Sequence, residues 1–176
     1  MNKNYKALEL DKILDLVAAE TTCPDAAAAV KAIEPVKSLV QARMLLDETD
    51  AAFVLMAKFG GPSFRDLKNV TNALRRAAAG GGLGMRELLD VAGTLRAIRA
   101  LQSWHDKSAG VHTALSDRFS VLSSNKYLEE KIFTAIISEE EMADAASPAL
   151  GTIRRKIRNA SARARDQLEK LVRSSS

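Results

Sequence analysis

The sequence predicts an all-α fold, a multi-helix array with a long projecting C-terminal helix. Aromatic residues make up only 5% of the 176 residues, whereas Ala, Leu, Lys, Arg and Glu are abundant. Straight-chain residues and Ala lose little conformational freedom in a helix. Apolar side chains also recur at steps of three and four, which places them along one helical face. An apolar content of 47% is enough for one well-buried domain, or for one domain with an extension.

Proline and glycine divide the first two thirds of the chain into helices. The predicted helices cover Tyr5 to Glu20, Asp25 to Ile33, a segment from Ser38 to Gly60, Asp66 to Ala79, and Met85 to Trp104. Pro24 and Pro35 bracket the second helix, because a residue before proline is pushed out of the α region. Gly80-Gly81-Gly82 ends the fourth helix, since glycine adopts the left-handed C-cap conformation at little cost.

The third helix has the clearest apolar stripe, and Ser38 can cap its first turn. The stripe consists of Leu39, Ala42, Leu46, Thr49, Phe53 and Met56. Methionine at helical spacing usually fills a core. Met44, Leu45, Leu46 and Met56 are therefore predicted to pack in the core rather than to form a Met-rich binding groove.

The last third of the chain has weaker boundaries until its final segment. A short helix is predicted near Thr113 to Phe119, and another around Tyr127, Leu128, Ile132 and Ile136. Ser138 and Glu141 fit a capping box, and the residues after Glu141 are expected to form either a short helix or an extended link. Ser147-Pro148 supplies an N-cap and a first-turn proline for a terminal helix that runs to Arg173 and is roughly 40 Å long.

The charge is unevenly divided along the chain. Residues 147–176 hold eight basic and two acidic side chains, a net charge of +6, whereas residues 1–146 have a net charge of −2. The basic excess therefore belongs to one helix and not to the domain. We predict a helical core domain over residues 1–146, and in residues 147–176 the start of a long helix that is truncated.

No catalytic, cofactor-binding or metal-binding residue is predicted in this chain. The run Gly80-Gly81-Gly82-Leu83-Gly84 has no Gly-Lys-Ser/Thr ending and no preceding strand, so a turn is favoured over a phosphate loop. His105 and His112 lack the neighbours of a zinc site, and Cys23 is expected to be a buried, inert thiol. The acidic residues Glu139, Glu140, Glu141 and Asp144 lack the pattern of a calcium loop and fit helix-start charges.

The longest uninterrupted apolar run, Ala51 to Ala57, is far shorter than the roughly 18 residues of a membrane span. The first residues also lack the apolar segment of a signal peptide. We therefore expect a cytoplasmic protein that does not contact a membrane.

The terminal helix allows two interpretations. Its apolar stripe consists of Leu150, Ile153, Ile157, Ala160, Ala164, Leu168 and Leu171, a spacing typical of a long packing helix or a coiled-coil seam. The candidate nucleic-acid contacts around it are Arg154, Arg155, Lys156, Arg158, Arg163 and Arg165. Because no aromatic residues are interleaved with them, we favour solvated flanks whose acidic partners lie on a second helix.

Several islands of sequence together resemble the second branch of the bacterial MutS family, the MutS-type-two endonucleases. They are Leu8 to Leu14, Ile33-Glu34-Pro35, Leu46 to Ala52, Phe64 to Leu67, the glycine turn with Glu87-Leu88-Leu89, and Asp144 to Leu150 with Ile153-Arg154-Arg155. Ala52 departs from the pattern, because the family more often has an acidic or polar residue there. The resemblance covers nearly the whole chain.

The resemblance implies an all-helical N-terminal core whose last helix begins a lever leading to a clamp. It implies that the full-length protein is an ATPase and endonuclease, using ATP and Mg²⁺, with both active sites outside this segment. It also implies partners: the remaining lever, clamp and ATPase domains, a second subunit in a homodimer, and DNA or ribosomal RNA. Roles in limiting recombination or rescuing ribosomes would belong to the assembled protein. The alternative is a stand-alone helical adaptor that self-associates or binds nucleic acid through its basic C-terminal helix.

Overall fold

The computed structural model of the chain describes residues 6–108, 111 and 113–174, and it is all-α across them. Its helices are α1 (Leu10–Ala19), α2 (Pro24–Lys31), α3 (Leu39–Phe59), α4 (Thr71–Ala78), α5 (Met85–Asp106), α6 (Ser116–Ser120), α7 (Lys126–Ala135) and α8 (Pro148–Ser174), with a 3-10 turn at Asp144–Ala146. Strand-like pairing in the described residues is limited to one antiparallel bridge between Ile136 and Met142. Among these helices, none combines the length and the apolar character needed to cross a membrane.

The largest part of the core lies between α5 and α7. Val91, Ala92, Ile132 and Ile136 form its buried centre, with exposed fractions from 0% to 8%. Val91 and Leu101 are buried on the face of α5 that is directed at this core. The buried side chains are few and small, which leaves much apolar surface of this chain in contact with solvent.

One partly buried ion pair ties α5 to α7. The Arg99 guanidinium donates two hydrogen bonds to the Glu129 carboxylate, Nε to Oε2 at 2.9 Å and Nη2 to Oε1 at 2.7 Å. Only 6% of the Glu129 side chain is exposed. The hydrogen bond from Arg99 lowers the pKa of Glu129 and so keeps it ionised although burial opposes the charge.

Helix α3 packs against the rest of the chain by one face. Leu55 is fully buried, and the indole Nε1 of Trp104 donates to the Gly60 carbonyl oxygen at 2.9 Å. Arg118 also donates to both carboxylate oxygens of Glu48, at 3.0 and 2.8 Å. These contacts hold the side of α3 that carries Glu48 and Leu55.

The prediction that Met44, Leu45, Leu46 and Met56 fill the core was wrong. Their exposed fractions are 51%, 39%, 67% and 51%. The helical period of α3 was predicted correctly, but the packed face is made of smaller and partly polar residues such as Ala51, Ala52 and Glu48. Packing against neighbouring helices decides which face is buried, and hydrophobicity alone does not reveal that choice.

One predicted helical segment is not helical, and one predicted capping box is not formed. Residues 66–70 precede α4 and are not helical. Asp66 has a left-handed φ of 70°, and the Lys68 backbone N–H and carbonyl groups form hydrogen bonds with the Thr94 hydroxyl. Ser138 and Glu141 do not form a capping box. They close a turn in which the Ile137 amide donates to the Glu141 carbonyl at 2.9 Å.

Other boundaries differ by smaller amounts. Tyr5, the predicted start of the first helix, lies outside the described residues, and the regular helix α1 follows Glu9, whose φ is 57°. Cys23 is half-buried rather than buried. Ser38 and Ser147 are N-caps as predicted, because their hydroxyls accept from the Gln41 and Leu150 amides.

Candidate partner-binding helix

The terminal helix leaves the body of the protein through a short, closely packed junction. After α7 the chain turns back, and the Ala143 amide donates to the Ala135 carbonyl at 2.9 Å. The 3-10 turn then delivers the chain to Ser147 and Pro148. Gly151 lies so close to this turn that an added Cβ would be 3.1 Å from the Asp144 carbonyl oxygen. The junction therefore sets the direction in which α8 departs.

Asp144 binds two arginines of the first turns of α8. Arg154 Nη1 donates to Asp144 Oδ1 at 2.8 Å and to the Met142 carbonyl at 2.7 Å. Arg158 Nη2 lies 3.4 Å from Asp144 Oδ2. The hydrogen bond from Arg154 is the largest cause of a lowered pKa of Asp144, so the carboxylate stays ionised beside the two guanidinium groups.

The six candidate basic residues are thus not equivalent. Arg154 and Arg158 are engaged by Asp144, and Arg154 is the only half-buried member of the six. Arg155, Lys156, Arg163 and Arg165 are exposed and form no ion pair with any part of the chain that the structure describes. Only these four are available to neutralise a partner's negative charge without first breaking a contact in this chain.

The apolar stripe of α8 is also open to solvent. Ile153, Ile157 and Leu168 are 53%, 59% and 63% exposed, and every described side chain from Arg155 onward is exposed. At 100° per residue, Ile153, Ile157, Ala160 and Ala164 lie on one side of the helix. The stripe is continuous over most of α8, as a helix that packs lengthwise on a partner requires.

One border of the stripe carries a regular row of positive charge. Lys156, Arg163 and Lys170 follow one another at seven-residue intervals. If Ile157 and Ala164 occupy the a positions of a heptad, these three residues occupy the g positions that flank a coiled-coil seam. The arrangement combines an apolar seam with a basic border, and acidic side chains on a partner helix would complement it.

Two of the features considered for chemistry make structural contacts in this chain. Gly80 ends α4 with a φ of 84°, and its turn is held by the pair between Arg76 and Glu87, so the prediction of a turn is confirmed. His105 stacks on Phe119 with ring centroids 4.3 Å apart, which is a packing role. His112 lies outside the described residues.

No metal centre is evident where the structure can be described. Among residues 6–108, 111 and 113–174, no group of three His, Cys, Asp or Glu side chains is close enough to hold an ion. Asp144, one of the acidic residues considered above, is instead directed at Arg154 and Arg158.

Sequence reasoning did not predict the role of Asp144. The residue lies 10 and 14 positions before its arginine partners, and no helical spacing predicts such contacts. They arise because the 3-10 turn folds back along the start of α8. Gly151 permits this fold-back, because a residue without a side chain can lie close to the Asp144 backbone.

Comparison with known proteins gives a consistent result. Endonuclease MutS2 of Acetivibrio thermocellus is 34% identical over 176 residues, covering 98% of this chain and 22% of that protein. Endonuclease MutS2 of Ruminiclostridium cellulolyticum is 34% identical over 174 residues, and that of Clostridium acetobutylicum 33%, with the same two coverages. The chain spans about a fifth of the length of these curated relatives. No protein-family model matches the chain.

Proposed function

The chain belongs to the MutS2 family, and we propose that in such a protein it forms the non-catalytic N-terminal core and the start of a lever helix. The observation that carries the proposal is the exposure of the apolar stripe on α8. In the part of the chain that the structure describes, Asp144 binds the base of α8, and every side chain from Arg155 onward is exposed, including those of the apolar stripe. A helix of this kind gains its stability by burying the stripe against another element.

The partner of α8 in this proposal is a second helix from another region of the same protein. The rest of the lever, the clamp and the ATPase regions would follow this segment. ATP and Mg²⁺ would bind in those later regions, and the nuclease active site would also lie outside residues 1–176. DNA or ribosomal RNA would be the target of the assembled protein. The contribution of this segment is to hold the base of the lever and to pass on its movement.

Thiol accessibility tests the pairing of α8. In a Cys23→Ser background, Ile157→Cys places a thiol on the stripe and Asn159→Cys places one on the opposite side of the same turn. In the 176-residue chain both thiols should react at similar rates. In a MutS2 protein that contains this segment, the thiol at position 157 should be protected at least tenfold while that at 159 keeps its rate.

Equal reactivity at both positions in the longer protein would refute the pairing. Activity is a second readout: the purified chain should hydrolyse neither ATP nor DNA above background. An activity of the chain that a point substitution within it abolishes would refute the non-catalytic assignment.

The alternative function is nucleic-acid binding by α8 itself, and it is favoured by the four unpaired cations described above. If they contact phosphates, the affinity for duplex DNA or ribosomal RNA should fall steeply with salt, since each neutralised phosphate adds about 0.9 to the slope on duplex DNA. Substituting Arg155, Arg163 and Arg165 by Ala should lower that slope by about three. The control is Arg158→Ala, which removes a charge already paired with Asp144. Binding that ignores the triple substitution argues against this function.

A further inference from the structure

We propose that the exposed face of α3 is a self-association surface, on which α3 of a second copy of this chain packs in the antiparallel direction. The surface consists of Leu39, Ala42, Leu46, Thr49, Phe53 and Met56, and is called the α3 face below. It is distinct from α8 and does not depend on the lever proposal.

The first argument is the exposure of large apolar side chains on one face of α3. Leu39, Leu46 and Phe53 are 67%, 67% and 71% exposed, and Met56 is 51% exposed. On the opposite side of the same helix, Leu55 is 0% exposed. One face of α3 thus contacts the body through Leu55 and Glu48, while a second face with large apolar side chains points outward, as in an interaction site.

The second argument is the spacing along the α3 face. Its six members alternate strictly by three and four residues, which is the a and d pattern of a coiled coil. Leu39, Leu46 and Phe53 occupy the a positions, and the intervening residues occupy d. The pattern covers all but the last turn of α3, so two such helices could pair over nearly their full length.

The third argument is that the α3 face complements itself. In an antiparallel pair, a positions face d positions of the other helix. With Leu46 opposite Thr49 of the second copy, Leu39 lies opposite Met56 and Ala42 opposite Phe53. A large side chain meets a smaller or more flexible one in each layer, as close packing requires. The same register repeats these pairs on both sides of a two-fold axis, which gives an isologous interface.

The fourth argument is charge. Arg43 and Asp50 occupy e positions on one border of the α3 face, and antiparallel pairing brings e positions of the two helices together. The same register places Arg43 of each copy near Asp50 of the other. Neither residue forms an ion pair elsewhere in the part of the chain that is described, whereas Glu48 of the same helix is paired with Arg118. Seven residues, or about 10 Å along the helix, separate Arg43 and Asp50 within one copy, too far for a direct contact.

Sedimentation analysis over a range of protein concentrations tests the proposal. The wild-type chain should form dimers, and Phe53→Asp should shift it to monomers at all concentrations reached. Ile157→Asp, which alters the exposed stripe of α8 instead, is the matched control and should leave the dimer intact.

Charge reversal provides the sharper test. In a dimer of the Arg43→Asp variant, the new carboxylate at position 43 of each copy faces Asp50 of the other. In a dimer of the Asp50→Arg variant, the new guanidinium group at position 50 of each copy faces Arg43 of the other. Each variant should raise the dissociation constant about tenfold, since two modest attractions become repulsions. Mixing the two variants should restore wild-type affinity, because the heterodimer has one acidic and one basic helix border. The double variant Arg43→Asp with Asp50→Arg should also dimerise normally.

A monomeric wild-type chain would refute the proposal and leave the α3 face to another partner. A dimer lost in Ile157→Asp but retained in Phe53→Asp would refute it in favour of α8. Failure of the mixed variants to associate more tightly than either alone would refute the antiparallel register.

Discussion

Leu55 and Leu46 lie on opposite faces of α3, and replacing each by Ala gives a direct measure of which face holds the helix. Leu→Ala removes three carbons, worth about 0.8 kcal/mol each when fully buried. Leu55 is completely buried, so its substitution also leaves a cavity, and we expect a loss of about 3 kcal/mol in the free energy of unfolding. Leu46 is 67% exposed. Its substitution removes only about a third of that transfer energy, roughly 0.8 kcal/mol at most.

Urea denaturation followed by far-ultraviolet circular dichroism measures both losses. With a slope of about 2 kcal/mol per molar urea, Leu55→Ala should lower the midpoint by about 1.5 M. The experiment is done at a protein concentration at which sedimentation shows monomers, so that dimer formation through the α3 face does not contribute to the Leu46 value. Equal losses at the two positions, or a larger one at Leu46, would refute the assignment of the packed face.

Two further predictions concern charge and backbone conformation. Because Arg99 lowers the folded-state pKa of Glu129, the pair stabilises the fold above the ordinary pKa of 4.5 and this contribution is lost as the pH falls through the lowered value. Urea midpoints of wild type and Glu129→Gln should therefore differ near neutral pH and converge in acid, and a constant difference would contradict this. Gly80 has a φ of 84°, so Gly80→Ala should lower the free energy of unfolding by about 1–2 kcal/mol. An added Cβ at Gly82 would meet open space, so Gly82→Ala should leave the free energy of unfolding unchanged in the same denaturation experiment.

The sequence predicted the limits of the helices better than it predicted which residues contact one another between distant parts of the chain. The limits of α3, α5 and α8 were anticipated because serine caps, glycines and prolines act locally. Residues 66–70 were mispredicted because their backbone partner is Thr94, which lies 26 residues from Lys68. No local pattern contains that contact, so periodicity alone favoured a longer helix.

The same distinction applies to the candidate site. The apolar stripe and the basic residues of α8 follow from helical spacing and were identified from the sequence. The division of the six basic residues into two that are paired and four that are free depends on Asp144, which a turn outside the helix brings into contact. Predicting it requires knowledge of how the chain reverses after α7.

The junction at Asp144 has a mechanical consequence. The base of α8 is held by hydrogen bonds to Asp144 and the Met142 carbonyl oxygen and by the close approach of Gly151, whereas its 27 residues extend about 40 Å. A rotation of about 10° at this point would displace the far end by about 7 Å over that length. Movements of less than about one ångström among Met142, Asp144 and Arg154 would thus become displacements of several ångströms at the tip, and the stiffness of these hydrogen bonds would set how much force the tip can deliver.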